Sequence, residues 1–463
     1  MKRILGLLLA GAAVAAAFVL PEPEAPPGPD FTGPEVRESV ASAAASVWYC
    51  PWVASGALRD SNAMLASKVP VNAQLTLPQQ IADEEPDVAE VRMEDAGALV
   101  VAIGEIVRRG DTPLFVEFDD GPAAAAAVVT SADIVTGDTC VARIPKVWEL
   151  PGGTTREGRT MTLRLFNPFP ELAKVSVSGS SESGETGLVD LQNLDVEGRT
   201  WQDVSLNALV PLLDDLALTV TSSEGFVIPS LAVGGATDEA SWPGTAPATT
   251  WEFPIATPRP EFAPSVMLSN SGAEPATATI DVYTPEGATI AVREVEVDPS
   301  IPRRVDLSDL ATGSMGIRVR ATAPLAAVVI AEESAVMLEP TDEEGEIDED
   351  SVGGDRIAGT VGLSGPAMEW LLPGLQGVAG GDSTVWLLNT GTETATVTLQ
   401  PLGLRDLPAT KQSVIPGSVL GVPLGHDVAV GGYQVESSSP ISVAWSVESE
   451  SGIMFVTGTV VGG

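Results

Sequence analysis

The groups with chemistry to offer in this 463-residue chain are one histidine, His426, two cysteines, Cys50 and Cys140, and 63 acidic residues. Ser-His-Asp or Cys-His catalysis needs an imidazole held beside its nucleophile. His426 lies between Gly425 and Asp427 after a strand-like run, and it reads better as a solvent-facing turn residue than as a base. Zinc fails for the same shortage, because His426 and the two cysteines belong to distant parts of the sequence. The pairs Gly234-Gly235 and Gly380-Gly381 lack the helix and lysine that a phosphate loop requires. Two carboxylates alone can hydrolyse a glycoside, but sequence spacing does not locate such a pair. Acids stand out from their surroundings only between Glu339 and Asp350, where eight fall in twelve residues. Clustered carboxylates suit calcium, yet this run lacks the alternation of an EF-hand loop, so a solvated loop is the plainer reading. No catalytic, cofactor-binding or metal residue is assigned, and the chain is expected not to be an enzyme.

Cys50 and Cys140 bracket the first unit, residues 48–147, and they are expected to form a disulfide. Two buried thiols or a metal pair are the other readings. The leader carries Lys2 and Arg3, then an apolar run from Ile4 to Leu20, which is the pattern of an export signal. It either remains as a membrane anchor or is removed near Ala15-Ala16-Ala17; in both cases the body is expected outside the cytoplasm. Residues 21–47 are expected to form a Pro-rich spacer that ends in one short Ala- and Ser-rich helix over 36–47. A formal charge of -39 repels other polyanions, and the doublets Arg108-Arg109 and Arg303-Arg304 do not grow into a basic patch, so nucleic acid is not an expected partner.

The elements that would position these groups are set by a four-residue pattern that occurs four times: Trp48 to Pro51, Trp148 to Pro151, Trp251 to Pro254, and Trp370 to Pro373. Nineteen residues after each Trp come Ser67, Asn167, Asn270 and Asn389, and the last three are followed by alternating apolar positions such as Ala395, Val397 and Leu399. Gly and Pro are abundant at 46 and 37 residues, and charged residues make up only 19%, which suits short strands joined by turns. The expected fold is all-β: four tandem immunoglobulin-like β-sandwich repeats at 48–147, 148–250, 251–369 (carrying the acidic loop 339–350) and 370–463, after the export or anchor segment 1–20 and the spacer. A closed propeller in which each long unit makes two blades is the alternative. Within the first unit Arg92 to Arg109 is the one segment expected to be helical. Pro122, Pro324 and Pro440 are expected to stop one strand before the next begins, a proline that the second unit lacks.

The recurring Trp residues suggest packing, with Pro fixing the entry of each unit, and the recurring Asn residues suggest turn caps. Trp201, Trp242, Trp386 and Trp445 do not recur and are the better candidates for stacking on sugars.

The export segment, the Pro-rich spacer, Trp48-Tyr49-Cys50-Pro51 and the Asn-x-Gly turns before Ala-rich strands together resemble a family of actinobacterial secreted or membrane-anchored proteins whose function is not established. The single units are similar to bacterial immunoglobulin-like modules, in which Asn389, Gly391 and Ala395 recur in this order. The second unit departs, with Pro168 after Asn167. What the resemblance and the repeats imply is a non-enzymatic scaffold or interaction protein of the cell envelope, with envelope proteins or cell-wall polymers as partners. A glycan or cell-wall polymer binding protein is the alternative.

Overall fold

Alternating apolar residues and β-branched side chains lay down strands along most of the chain, which is nearly all β and divided among several sheets. The structure, a computed structural model, describes residues 46–461 except 54–59, 82–83, 95–96, 108–111, 132–134, 236–237, 256–261, 288, 311–312, 334–355, 375–380, 404–406, 425–430 and 450–451. His426, the acidic run 339–350, the segment 1–20 and residues 21–45 of the spacer therefore lie outside the described residues. Among the described residues no helix is long and apolar enough to cross a membrane.

The first eight strands are β1 (Val47–Val53), β2 (Asp60–Ser67), β3 (Val71–Leu77), β4 (Asp87–Met93), β5 (Gly97–Ala102), β6 (Thr112–Phe118), β7 (Ala123–Thr130) and β8 (Val135–Thr139). They form two antiparallel sheets, β1-β6-β3-β4 and β5-β2-β7-β8. The segment Arg92 to Arg109, expected to be helical, instead holds the end of β4, all of β5 and a single helical turn, Ile103–Ile106. Pairing decides this: Gly97 to Ala102 lies along β2, opposite Ser67 to Asn62.

The next strands are β9 (Val147–Gly153), β10 (Thr160–Asn167), β11 (Ala173–Ser181), the short β12 (Gly184–Thr186) and β13 (Leu194–Val196), β14 (Thr200–Ser205), β15 (Leu216–Glu224), β16 (Ile228–Gly234) and β17 (Glu239–Pro243). Their sheets are β9-β15-β11, with β12 and β13 both beside β11, and β14-β10-β16-β17. Then follow β18 (Ala248–Phe253), β19 (Phe262–Ser269), β20 (Ala276–Tyr283), β21 (Thr289–Val297), β22 (Arg303–Asp306), β23 (Gly316–Glu333) and β24 (Ile357–Val361). The last group is β25 (Ala367–Pro373), β26 (Asp382–Asn389), β27 (Ala395–Leu402), β28 (Thr410–Val414), β29 (Ser418–Leu424), β30 (Gly432–Ser449), β31 (Gly452–Thr457) and β32 (Thr459–Val460). Counted from each tryptophan strand, with β12 and β13 taken together as a fourth and β23 and β30 each as a sixth and seventh, the order is the same in every group: strands one, six, three and four in one sheet, and five, two, seven and eight in the other.

In the third and fourth groups the sixth and seventh strands are one continuous strand, β23 or β30, that crosses between the sheets. Pro324 and Pro440 were expected to stop a strand there, and the strand runs on through both. Each proline sits in the crossover, where its missing N–H costs little: around Pro324 the pairing with β20 ends at Ala321 and that with β19 begins at Ala326, and around Pro440 the pairing with β27 ends at Ser437 and that with β26 begins at Ser442.

The groups close into a ring. Each eighth strand packs on the next: β8 lies against β17, β17 against β24, β24 against β31, and β31 against β8. Each tryptophan strand packs on the following group: β1 on β10 and β16, β9 on β19 and β23, β18 on β30, and β25 back on β2 and β7. Small residues allow the approach at the centre. A Cβ on Gly359 would meet the Trp242 ring at 2.5 Å, and one on Gly137 would meet Met454 Sδ at 2.9 Å. The Thr139 and Thr457 hydroxyls bond at 2.9 Å where the first and last groups meet. The apolar core is continuous across these seams, since Met64, Ala126, Val128 and Val135 join the cluster built on Trp370 and Trp445.

Candidate functional site

The repeated residues are occupied in holding each group of strands together. Asn389, fully buried, donates from Nδ2 to Glu393 O at 2.8 Å and Val414 O at 2.9 Å, while its Oδ1 accepts from Gly391 N at 3.0 Å. Asn270 makes the same three bonds with Glu274, Val297 and Gly272, and Asn167 with Glu171, Val196 and Phe169. In the first group Ser67 substitutes through its hydroxyl, bonded to Val69 O at 2.9 Å. The four motif tryptophans are buried. Trp48, Trp251 and Trp370 each donate from Nε1 to the residue after the corner proline, namely Ala123 O, Leu325 O and Ile441 O, at 2.8 to 3.0 Å. Trp148, whose group has no proline at that corner, leaves its Nε1 without a partner. Pro51, Pro151, Pro254 and Pro373 are buried beside them; Pro51 O accepts from Arg164, and Pro151 O from Trp242 Nε1 at 3.2 Å. Cys50 and Cys140 form the expected disulfide, next to the bridge between Tyr49 and Val141.

Of the tryptophans singled out for sugar stacking, Trp242, Trp386 and Trp445 are buried in the sheets and present no open face. Only Trp201 is half-buried.

The junctions between groups carry the buried charges. Glu149 follows Trp148 on β9 and accepts bonds from Thr219 Oγ1 in its own group and Ser269 Oγ in the next, both at 3.2 Å. Burial pushes its carboxyl up, against the hydroxyls of Ser271, Ser269 and Thr219. Glu252, after Trp251 on β18, accepts from Thr390 Oγ1 at 2.7 Å and from Ser442 Oγ, both in the fourth group, with Arg318 Nε 3.4 Å away. At the closing junction Lys68 pairs with Glu369, the residue before Trp370. A further network joins Arg304 to Asp215 at 2.7 Å and Glu332 at 3.2 Å, and Arg156 to Glu332 at 2.9 Å. Burial opposes the Arg304 charge, but Asp215 and Glu332 outweigh it and hold the guanidinium above its ordinary range.

The first junction differs. The place of Glu149 and Glu252 is taken by Tyr49, with Phe115 beside it at 6.3 Å and Phe169 of the second group at 6.1 Å; Phe226 continues the row 5.9 Å beyond Phe169. Lys146 lies 3.9 Å over the Phe226 ring. Phe226 is 37% exposed, and the other three rings are half-buried. Burial first, and Glu117 second, push the Tyr49 phenol up to about 12, so it stays neutral. Deeper in the same junction Arg164, fully buried, is held bidentately by Asp203 at 2.7 Å and covers the Trp52 ring at 3.9 Å. The row was not legible as a motif, because its members come from β1, β6 and two separate turns; equal offsets from each Trp single out Tyr49 and Phe169, whereas Phe115 and Phe226 are matched to their counterparts only by strand pairing. Among the described residues no group of three His, Cys, Asp or Glu is placed to hold a metal ion.

The model of a family of unknown function, DUF5719, matches residues 107–239 and 231–453. No curated protein matches the chain. Solved structures with some likeness include the crystal structure of Thermotoga maritima 1070, at 19% identity over 26% of this chain and 96% of that one, with a TM-score of 0.19. The viral chemokine binding protein R17 of rodent gammaherpesvirus Peru is 8% identical over 71% and 89%, with a TM-score of 0.17. Streptomyces avermitilis α-L-rhamnosidase in complex with L-rhamnose is 11% identical over 91% and 57%, with a TM-score of 0.11. Scores this low carry no argument about fold or function.

Proposed function

The chain belongs to this family of unknown function, and we propose that it is a non-enzymatic scaffold of the cell envelope, a ring of four immunoglobulin-like modules held outside the cytoplasm. The observation that carries the reading is the use made of buried polar groups: Glu149 and Glu252 are each spent on hydroxyls of the following module, which favours a rigid support. An immunoglobulin-like origin is supported by the pairing of the second strand with the fifth and the third with the sixth. The first and seventh strands then exchange sheets relative to that fold, which places each tryptophan strand against the next module. Export is supported by the Lys2-Arg3 flank, the apolar run Ile4 to Leu20 and the Cys50–Cys140 disulfide, which suits an oxidising compartment. These features fit a secreted or membrane-anchored protein of an actinobacterium.

A cell-impermeant amine reagent applied to intact cells tests location, and cross-linking in the same cells tests the scaffold role. We expect the full chain to be labelled from outside and to give discrete adducts with envelope proteins. Labelling only after lysis would overturn the location; a labelled chain that yields no adduct would overturn the scaffold. A glycan-binding role is the second reading, favoured by the aromatic row.

A further inference from the structure

The ring contains its own controls, because each position in one module has three counterparts. Tyr49 stands where the others have Glu149, Glu252 and Leu371. Phe115, its partner across the strand pair, stands where they have Thr219, Arg318 and Gln434. Phe169 donates its N–H to Asn167 as Gly272 and Gly391 donate theirs to Asn270 and Asn389. Phe226 takes the place of Pro122, Pro324 and Pro440 at the corner between the sixth and seventh strands. None of these counterparts is aromatic, so neither the sandwich nor the junction requires a ring at any of the four places. All four rings nevertheless pack in succession, each tilted on the next with centroids 5.9 to 6.3 Å apart, and Phe226 at the outer end is exposed.

We infer that the row Phe115–Tyr49–Phe169–Phe226 is a binding track for a neutral polysaccharide. Aromatic faces take the apolar C–H faces of pyranose rings, and a row of them takes consecutive sugars. Tyr49 adds a hydroxyl at the middle of the track, next to the apolar body of its ring. Charge selects among polymers: a chain of formal charge -39 repels nucleic acid and anionic wall polymers, whereas an uncharged glycan meets no such barrier. Lys146, over the Phe226 ring and bonded to Gly225 O at 2.5 Å, holds the exposed end of the row in place. This inference depends on the body being exported, but not on its having protein partners.

The test uses the full chain and a double variant, Phe169→Gly with Phe226→Pro, which installs the residues of the sister modules. The backbone accepts both: Gly225, at φ 60°, precedes Phe226 just as Gly121, at φ 66°, precedes Pro122. Affinity electrophoresis is run in gels containing a neutral β-glucan, galactan or mannan, and in one containing a polyanionic teichoic acid. We expect at least one neutral glycan to retard the wild type, and the double variant, with an unchanged melting profile, to bind about tenfold more weakly or worse. No retardation by any neutral glycan, retardation only by the polyanion, or equal retardation of both proteins would each overturn the inference. A double variant that still forms the wild-type cross-links to envelope proteins separates this result from the scaffold reading. If the variant melts early, Tyr49→Glu, which copies the second and third modules, serves in its place.

Discussion

The buried carboxylate of Glu252 accepts a hydrogen bond from the hydroxyl of Ser442, a residue 190 positions further along the chain and in the following module. With Thr390 on its other oxygen, Glu252 ties two modules together at this seam. Glu252→Ala should destabilise the ring by roughly 1–3 kcal/mol, because it leaves the buried Ser442 hydroxyl without its acceptor and takes away the acceptor of Thr390 and the counter-charge of half-buried Arg318. Glu252→Gln should cost markedly less, since it keeps an acceptor oxygen. Urea titration followed by tryptophan fluorescence measures both, and equal losses would show that the carboxylate is not what holds the seam.

The four motif tryptophans give a prediction with an internal control. Replacing Trp48, Trp251 or Trp370 by Phe removes an indole bond to a buried corner carbonyl, whereas Trp148 has no such bond to lose. The change in packed volume is alike in all four, so each of the first three variants should be about 1 kcal/mol less stable than Trp148→Phe. Four matching denaturation midpoints would mean that the corner bond contributes nothing.

Much of the repeat was legible because its residues act within one module. Asn167, Asn270 and Asn389 lie at a fixed offset from Trp, and each closes the same turn with the same three bonds. Serine at position 67 has a hydroxyl to offer and does part of that work. Closure enters the sequence reading only as the propeller alternative, because it rests on β8 meeting β31 across most of the chain, through small residues such as Gly137 that no periodicity marks. The burial of Trp386 and Trp445, whose side chains face inward from β26 and β30, was not legible, and neither residue recurs among the modules. The aromatic row is hidden for a third reason: its residues are separated in sequence and only the folded ring aligns them.

The Cys50–Cys140 bridge spans a sequence separation of 90 residues and fastens β1 to the stretch that leads into the second module. On the chain-entropy account, closing a loop of that size stabilises the fold by about 4–5 kcal/mol. Reduction should therefore lower the melting temperature, and the unreduced protein should show no thiol when denatured. A melting temperature indifferent to dithiothreitol would mean that the reduced denatured state is already restricted there.

Asp238, just before β17, is buried near the centre of the ring and accepts Ile357 N at 2.9 Å and Glu239 N at 2.8 Å. Burial pushes its carboxyl from 3.8 to about 7, against those two N–H groups and the charges of Arg356 and Arg159. Below pH 3.8 both the folded and unfolded chains hold the proton, and the folded state has its full advantage. As pH rises the unfolded chain ionises first, so stability falls until the folded pKa near 7 is passed and then levels off, a loss on the order of 4 kcal/mol. Asp238→Asn cannot ionise and should escape the loss. The variant should melt above the wild type at pH 8, with the gap shrinking toward pH 4. Other carboxylates titrate over the same range, so it is the difference between the two proteins that reports on Asp238. A constant difference from pH 4 to pH 8 would show that the Asp238 carboxylate is ionised in the folded ring throughout, its two N–H bonds and nearby arginines having overcome the burial.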